Sequence, residues 1–385
     1  MMKSVINAPA MLGMLGGGQL GRFFVIAAHE MGYQVTVLDP DKNSPAGKIA
    51  DVHLCANYDD TAALKKMAET CQAVTTEFEN VPAKTLEKLA ENIIVRPSAT
   101  CVAIAQNRVL EKNFIKNAGL PVAPFVVISK ADDLPEDSSD LYPAILKVAR
   151  FGYDGKGQAR VKNRAEAALA FKEFKQEICV LEQMLLLDLE VSVVLARDVE
   201  GNVASFSTAE NSHLNGILDI SIAPARCSAV IKANAQELAK KLAEKLDYVG
   251  VLGVEFFLVG KQLLVNEIAP RPHNSGHYTI DACVTNQFEQ QVRVMTGLPL
   301  GNPSLHSDAV MVNILGDSWF AGAKTTAREP SWNKALSHAN LKLHLYGKHE
   351  PRKSRKMGHF TVIDKELKAA LNAALIARSE LHIGE

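Results

Sequence analysis

Apolar and polar positions alternate along this chain in two rhythms, and the switch from one to the other divides it. Residues 10–15 are a short apolar run, 16–21 are glycine-rich, and 20–31 repeat apolar side chains at helical spacing until Gly32. That order predicts strand, turn and helix. Residues 34–38, 73–78 and 93–95 predict further strands, with helical patterns between them. Strands that alternate with helices imply a parallel sheet joined by right-handed crossovers. Residues 1–98 therefore read as one doubly wound, Rossmann-like α/β domain.

A single long helix is predicted over 100–117, closed by Gly119 with Pro121 beyond it. After it the strands come in pairs: 144–148 with 158–161 around a glycine loop, 179–184 with 190–197, then 203–208. Helical patterns at about 164–177 and 234–247 interrupt them, which implies α+β architecture with antiparallel sheets. Residues 251–259 and 263–268 predict a hairpin about Gly260-Lys261-Gln262. The expected division is a second domain over 112–298, with a mobile lid at about 124–187, and a small β-rich C-terminal domain over 299–385.

Composition narrows the class of ligand. Lys plus Arg number 42 against 43 Asp plus Glu. No global field therefore draws the chain to nucleic acid or to an anionic membrane, and an anionic ligand has to be captured by a local cluster. Apolar stretches fall far short of the ~20 residues that cross a bilayer. The six cysteines are scattered without a C-x-x-C pair, as expected of buried small side chains in a reducing cytoplasm.

Two glycine loops carry candidate chemistry. Gly16-Gly17-Gly18-Gln19-Leu20-Gly21 satisfies G-x-G-x-x-G between a strand and a helix, and Asp39 ends the next strand where a dinucleotide enzyme keeps a ribose-binding acid. A dehydrogenase is one reading, although it explains only the first quarter of the chain. The preferred reading is that the loop lines the pocket of a nucleotide-like substrate. Phe151-Gly152-Tyr153-Asp154-Gly155-Lys156-Gly157-Gln158 instead joins two strands, so its amides suit a lid over a triphosphate. Lys147 ends the apolar strand before it, and a buried ammonium there needs an anionic partner such as phosphate.

The hairpin offers two carboxylates. With Lys261 at the centre of the turn, Glu255 and Glu267 face each other, their Cβ atoms ~5 Å apart on one face. Phe257, Val259, Leu263 and Val265 surround them. Like charges so placed are destabilising unless a cation lies between them, and magnesium bridging phosphate oxygens is the natural one, with Asn266 beside it. Arg271-Pro272-His273 follows directly on a stiff loop, and the basic segment 348–356 offers a grip for a substrate phosphate.

Lys147, GYDGKGQ at 152–158, Glu182-Gln183, Glu190, His213, VLGVEFF at 251–257 and NEIAPRPHNSGHYT at 266–279 together resemble the ATP-grasp superfamily. Within it the chain is similar to the family of N5-carboxyaminoimidazole ribonucleotide synthetases, in the expected order and over nearly its whole length. The resemblance implies an ATP-grasp fold and an ATP- and magnesium-dependent carboxylation of 5-aminoimidazole ribonucleotide by bicarbonate. It implies a homodimer with small-molecule substrates. Arg108 and Lys147 would meet the ATP phosphates, and Gly152, Tyr153, Asp154, Gly155, Lys156, Gly157 and Gln158 would cover them. Glu182, Gln183, Met184 and Leu185 would form the hinge that reads adenine, Glu190 would hold the ribose, and His213, Asn266 and Glu267 would lie near the phosphates. Tyr153, Asp154, Arg271 and His273 are implied near the aminoimidazole and the carboxyl intermediate, and Lys348 and Arg355 at the substrate phosphate. Gln19, Leu20, Glu77 and Asn80 would edge that pocket. The rival within the superfamily is a formate-dependent glycinamide ribonucleotide ligase, which would share the ATP half.

Overall fold

The computed structural model describes residues 5–150, 157–320 and 326–384, arranged on three sheets. The first is five-stranded and parallel, in the order Val52–Leu54, Gln34–Leu38, Met11–Leu15, Ala73–Thr76, Ile94–Val95. Its central strands are buried on both faces, which is why they read as unbroken apolar runs. The helix Gln19–Glu30 follows the first strand and buries Phe23, Phe24, Val25 and Ala27. The parallel sheet is as the alternation predicts, with Val52–Leu54 as an additional short edge strand.

The helix expected over 100–117 is two helices, Ala99–Ala105 and Arg108–Asn117. Asn107 lies between them, and its side-chain oxygen accepts from the amides of Val109 and Leu110. It is an N-cap placed inside an apparently continuous helical pattern, and it starts a second helix. The second helix therefore begins on Arg108, whose own amide donates to the carbonyl of Ala149. Gly119 follows the helix end at φ +73°, as its role there requires.

A four-stranded antiparallel sheet runs in the order Phe125–Ile128, Cys179–Gln183, Ala144–Val148, Gln158–Val161. The pairing of 179–184 with 190–197 does not form. Cys179–Gln183 stays in this small sheet between two neighbours, while Leu189–Arg197 enters a larger sheet. Pairing by nearness in sequence fails here because both flanks of Cys179–Gln183 are already taken.

The large sheet has nine strands. Gln262–Ala269, Gly250–Val259, Leu189–Arg197, Ala209–Leu214, Ile217–Ala223, Asp308–Leu315, Lys356–Asp364 and Leu341–Leu345 lie in that order, with Val203–Ser205 beside Leu189–Arg197. The C-terminal strands thus continue the sheet that carries the hairpin. Ala209–Leu214 and Ile217–Ala223 lie outside the sequence expectation. Among the described residues no helix is long and apolar enough to cross a membrane.

Candidate active site

A cleft of about 590 Å³ opens between the small sheet and the large one. Arg108, Lys147, Gly157, Gln158, Glu182, Gln183, Met184, Leu185, Glu190 and His213 line it, together with Glu255, Asn266, Glu267, Arg271 and His273. These residues come from both sheets and from the start of the helix Arg108–Asn117, so only the tertiary fold brings them together. Gly152, Tyr153, Asp154, Gly155 and Lys156 lie outside the described residues.

The hairpin supplies the acidic wall. Its turn is the two residues Gly260 and Lys261 between the paired Val259 and Gln262, rather than one centred on Lys261. That register alone would set Glu255 opposite Asn266. A bulge between Glu255 and Phe256 makes Asn266 the extra residue, and Glu255 pairs with Glu267. Burial, and then the Glu267 charge, push the Glu255 carboxyl up to about 7. Behind them Glu111, also buried, accepts from the amide of Ile268 at 2.7 Å and is pushed up to about 8, first by burial and then by Glu267. The Asn266 side-chain oxygen is buried without a hydrogen-bond partner. Crowded carboxylates beside an orphaned oxygen form a donor set suited to a hard divalent cation.

Cations face this wall. Arg108 Nη2 lies 3.5 Å from Glu267 Oε2. Lys147 Nζ donates to Glu182 Oε2 at 3.0 Å. Burial lowers the Lys147 ammonium's pKa and Glu182 opposes that, while burial raises the Glu182 carboxyl but Lys112, Lys147 and Arg108 together hold it at about 2. Strand alternation points the Glu182 and Gln183 side chains to opposite faces; Gln183, which also borders the cleft, donates to the Asp140 carbonyl at 2.7 Å. Glu190 Oε2 lies 2.7 Å from His213 Nδ1. Arg271 Nε donates to Glu79 Oε2 at 2.7 Å, and His273 Nε2 lies 3.5 Å from Glu255 Oε1.

The remaining predicted residues lie around the cleft. Asn80 lines a small cavity of about 40 Å³ that shares Glu79, Arg108, Glu267 and Arg271 with the main one. Lys348 Nζ donates to Gln19 Oε1 and to the carbonyl of Lys356, each at 2.7 Å, and Lys356 lines the cleft. Arg355 donates to the Glu350 carbonyl, and Leu20 is buried in the first domain's core. The first glycine loop is filled from within. Glu77 accepts from the amides of Gly18 and Gly21 at 2.6 and 2.5 Å, and Asp39 accepts from Gly17 at 2.7 Å.

Family models match in series: a ribonucleotide synthetase preATP-grasp domain over 10–106, an ATP-grasp domain over 113–288, and a phosphoribosylaminoimidazole carboxylase C-terminal domain over 309–373. The chain is 44% identical to the N5-carboxyaminoimidazole ribonucleotide synthase of Bacillus subtilis, over 94% of this chain and 93% of that one. The crystal structure of an N5-carboxyaminoimidazole ribonucleotide synthetase as its ADP complex superposes with TM-score 0.92 at 40% identity, covering both chains fully. The Aspergillus clavatus N5-carboxyaminoimidazole synthase, solved with ADP and 5-aminoimidazole ribonucleotide, gives 0.86 at 31% identity, over 97% of this chain and 99% of that one. The chain belongs to the N5-carboxyaminoimidazole ribonucleotide synthase family.

Members of this synthase family are ATP-dependent ligases, and the dehydrogenase reading of the first glycine loop falls with that assignment. The synthase cleft is also lined by Glu79 and Asn274, to which the sequence reading gave no role, and by Lys356 of the basic segment. Asn274 stands within the string 266–279 that carried the family resemblance, and Glu79 stands beside Asn80. Glu111 and Lys112 had no such signal, because charges on a short helix ordinarily face water.

Proposed function

We propose that this chain joins bicarbonate to the exocyclic amine of 5-aminoimidazole ribonucleotide at the expense of ATP, giving N5-carboxyaminoimidazole ribonucleotide, ADP and phosphate. The observation that carries the residue assignments is the convergence of Arg108 and Lys147 on the same cleft as the facing Glu255 and Glu267. Arg108 and Lys147 hold the transferring phosphate and neutralise charge that develops as a bicarbonate oxygen attacks it in line. Glu255 and Glu267, with Asn266, would hold magnesium, which when bound screens the phosphate oxygens. The backbone of 182–185 reads the adenine edge, and Glu190 holds the ribose with His213 beside it.

The resulting carboxyphosphate breaks down to carbon dioxide and phosphate, and the substrate amine captures the carbon dioxide in the enclosed cleft. Water has to be kept out while this happens, and the loop at 152–158 is the segment we assign to that task. Arg271 and His273 stand beside the reacting carboxyl, and Lys348 and Arg355 take the ribonucleotide phosphate. All cysteines among the described residues are unpaired, which suits the cytoplasm, and the family resemblance favours a homodimer.

The test is ADP release with each substrate omitted in turn. Release should require magnesium and rise strongly when aminoimidazole ribonucleotide and bicarbonate are both present. Stimulation by glycinamide ribonucleotide with formate instead would transfer the case to the formate-using ligase.

A further inference from the structure

Lys112 is a fully buried lysine. It stands four residues after Arg108 on the helix Arg108–Asn117, hence on the same face one turn along. Arg108 lines the cleft and Lys112 does not. Its Nζ lies 3.1 Å from Glu182 Oε2, an ion pair without a hydrogen bond, while the same oxygen accepts from Lys147 at 3.0 Å and Glu182 Oε1 is buried without a partner. One carboxylate oxygen is thus shared by a cation that reaches the cleft and a cation that cannot. Lys112 belongs to a helix packed both on the hairpin strand Gln262–Ala269 and on Cys179–Gln183, the strand that carries Glu182.

This arrangement has a consequence for any phosphate arriving at Lys147. The phosphate competes with Glu182 for the ammonium, and a buried carboxylate deprived of its partners would both lose stabilisation and repel the phosphate. We propose that Lys112 is a positioning residue that keeps Glu182 neutralised, so that Lys147 transfers from Glu182 to the nucleotide phosphate. Glu182 is the resting partner of Lys147, and Lys112 is the permanent partner of Glu182. The inference rests on the reading that this cleft takes ATP.

The experiment compares the full-length enzyme with K112M and with K112M/E182Q, measuring Mg-ATP affinity by calorimetry and both Michaelis constants. K112M leaves Glu182 with Lys147 as its one close cation and Arg108 farther off, so Mg-ATP affinity should fall and its Michaelis constant should rise by roughly tenfold or more, with that for the ribonucleotide within about twofold. Removing the carboxylate as well abolishes the competition, and K112M/E182Q should recover affinity to within about threefold of wild type. Unchanged ATP binding in K112M, an equal rise in both Michaelis constants, or a double variant no better than the single one would overturn the proposal. If K112M does not fold, the double variant decides alone: retained affinity supports the proposal and a loss overturns it. Wild-type enzyme that binds no Mg-ATP would instead remove the functional reading beneath it.

Discussion

Glu255 faces Glu267 across the hairpin because Asn266 is an extra residue on one strand only. The bulge does two things at once. It brings the carboxylates opposite each other, and it leaves the Asn266 side-chain oxygen buried beside them without a partner.

E267Q should therefore lose at least about a hundredfold in turnover while remaining folded, because a ligand to the phosphate-bridging cation is gone. In metal-free buffer its melting temperature should equal or exceed that of wild type, since neutralising one of two facing carboxylates relieves repulsion. Thermal melts with and without Mg-ATP, beside turnover, check this. A variant that melts early in metal-free buffer yet turns over normally would contradict the metal assignment.

K348M should raise the Michaelis constant for the ribonucleotide by roughly tenfold with little change in that for ATP, as a lost phosphate contact does. Lys348 is held in place by Gln19 and by the carbonyl of Lys356, and Lys356 lines the cleft. Steady-state kinetics with each substrate varied in turn decide the matter, and two unmoved constants would make the basic segment a solvated surface.

Calorimetric titration with NAD or NADP should give no micromolar binding. The amides that a pyrophosphate would need are engaged by Glu77 and Asp39, and a Cβ at Gly18 would collide with the Glu77 carboxylate, so the loop has no room to open towards a ligand. Micromolar affinity for either cofactor would show that Glu77 can be displaced.

The same Glu77 predicts a pH dependence. Burial, opposed by its bonds to Gly21 and Gly18, raises its pKa from 4.5 to about 7. The folded state then binds more protons than the unfolded chain between those values, so stability falls as pH rises through that window and levels off above it, by on the order of 3 kcal/mol at most. E77Q can accept from only one of the two amides and should start less stable, but its deficit should narrow from pH 5 to pH 7. Melting curves across the window test this, and a constant deficit would refute it.

The parallel sheet was legible because buried strands and amphipathic helices have distinct periods, and both glycine loops announced themselves by composition. The Glu255–Glu267 pairing was reached through a turn centre that the structure moves by half a residue. The Asn266 bulge restores the register, and no local pattern marks a bulge. Ala209–Leu214 was hidden for a different reason. Its Asn211 is buried but satisfied by Ser192 and Ser221, at 2.8 and 2.7 Å, so a polar string forms an interior strand. That strand carries His213, which the sequence alone could place only by resemblance. Lys112 was unreadable because a charge on a helix is ordinarily solvated, and its partner lies 70 residues away on a strand of the small sheet.

Ile217–Ala223 hydrogen-bonds to Asp308–Leu315, so the hairpin that carries Glu255 and Glu267 and the C-terminal strands share one uninterrupted sheet. A chain cut at residue 298 would leave Ile217–Ala223 with a bare row of amides and carbonyls, an invitation to pair with other molecules. The C-terminal strands therefore cannot be exchanged as a cassette. New substrate preferences on this scaffold have to arise by replacing side chains one at a time within a sheet that both halves need in order to stay in solution.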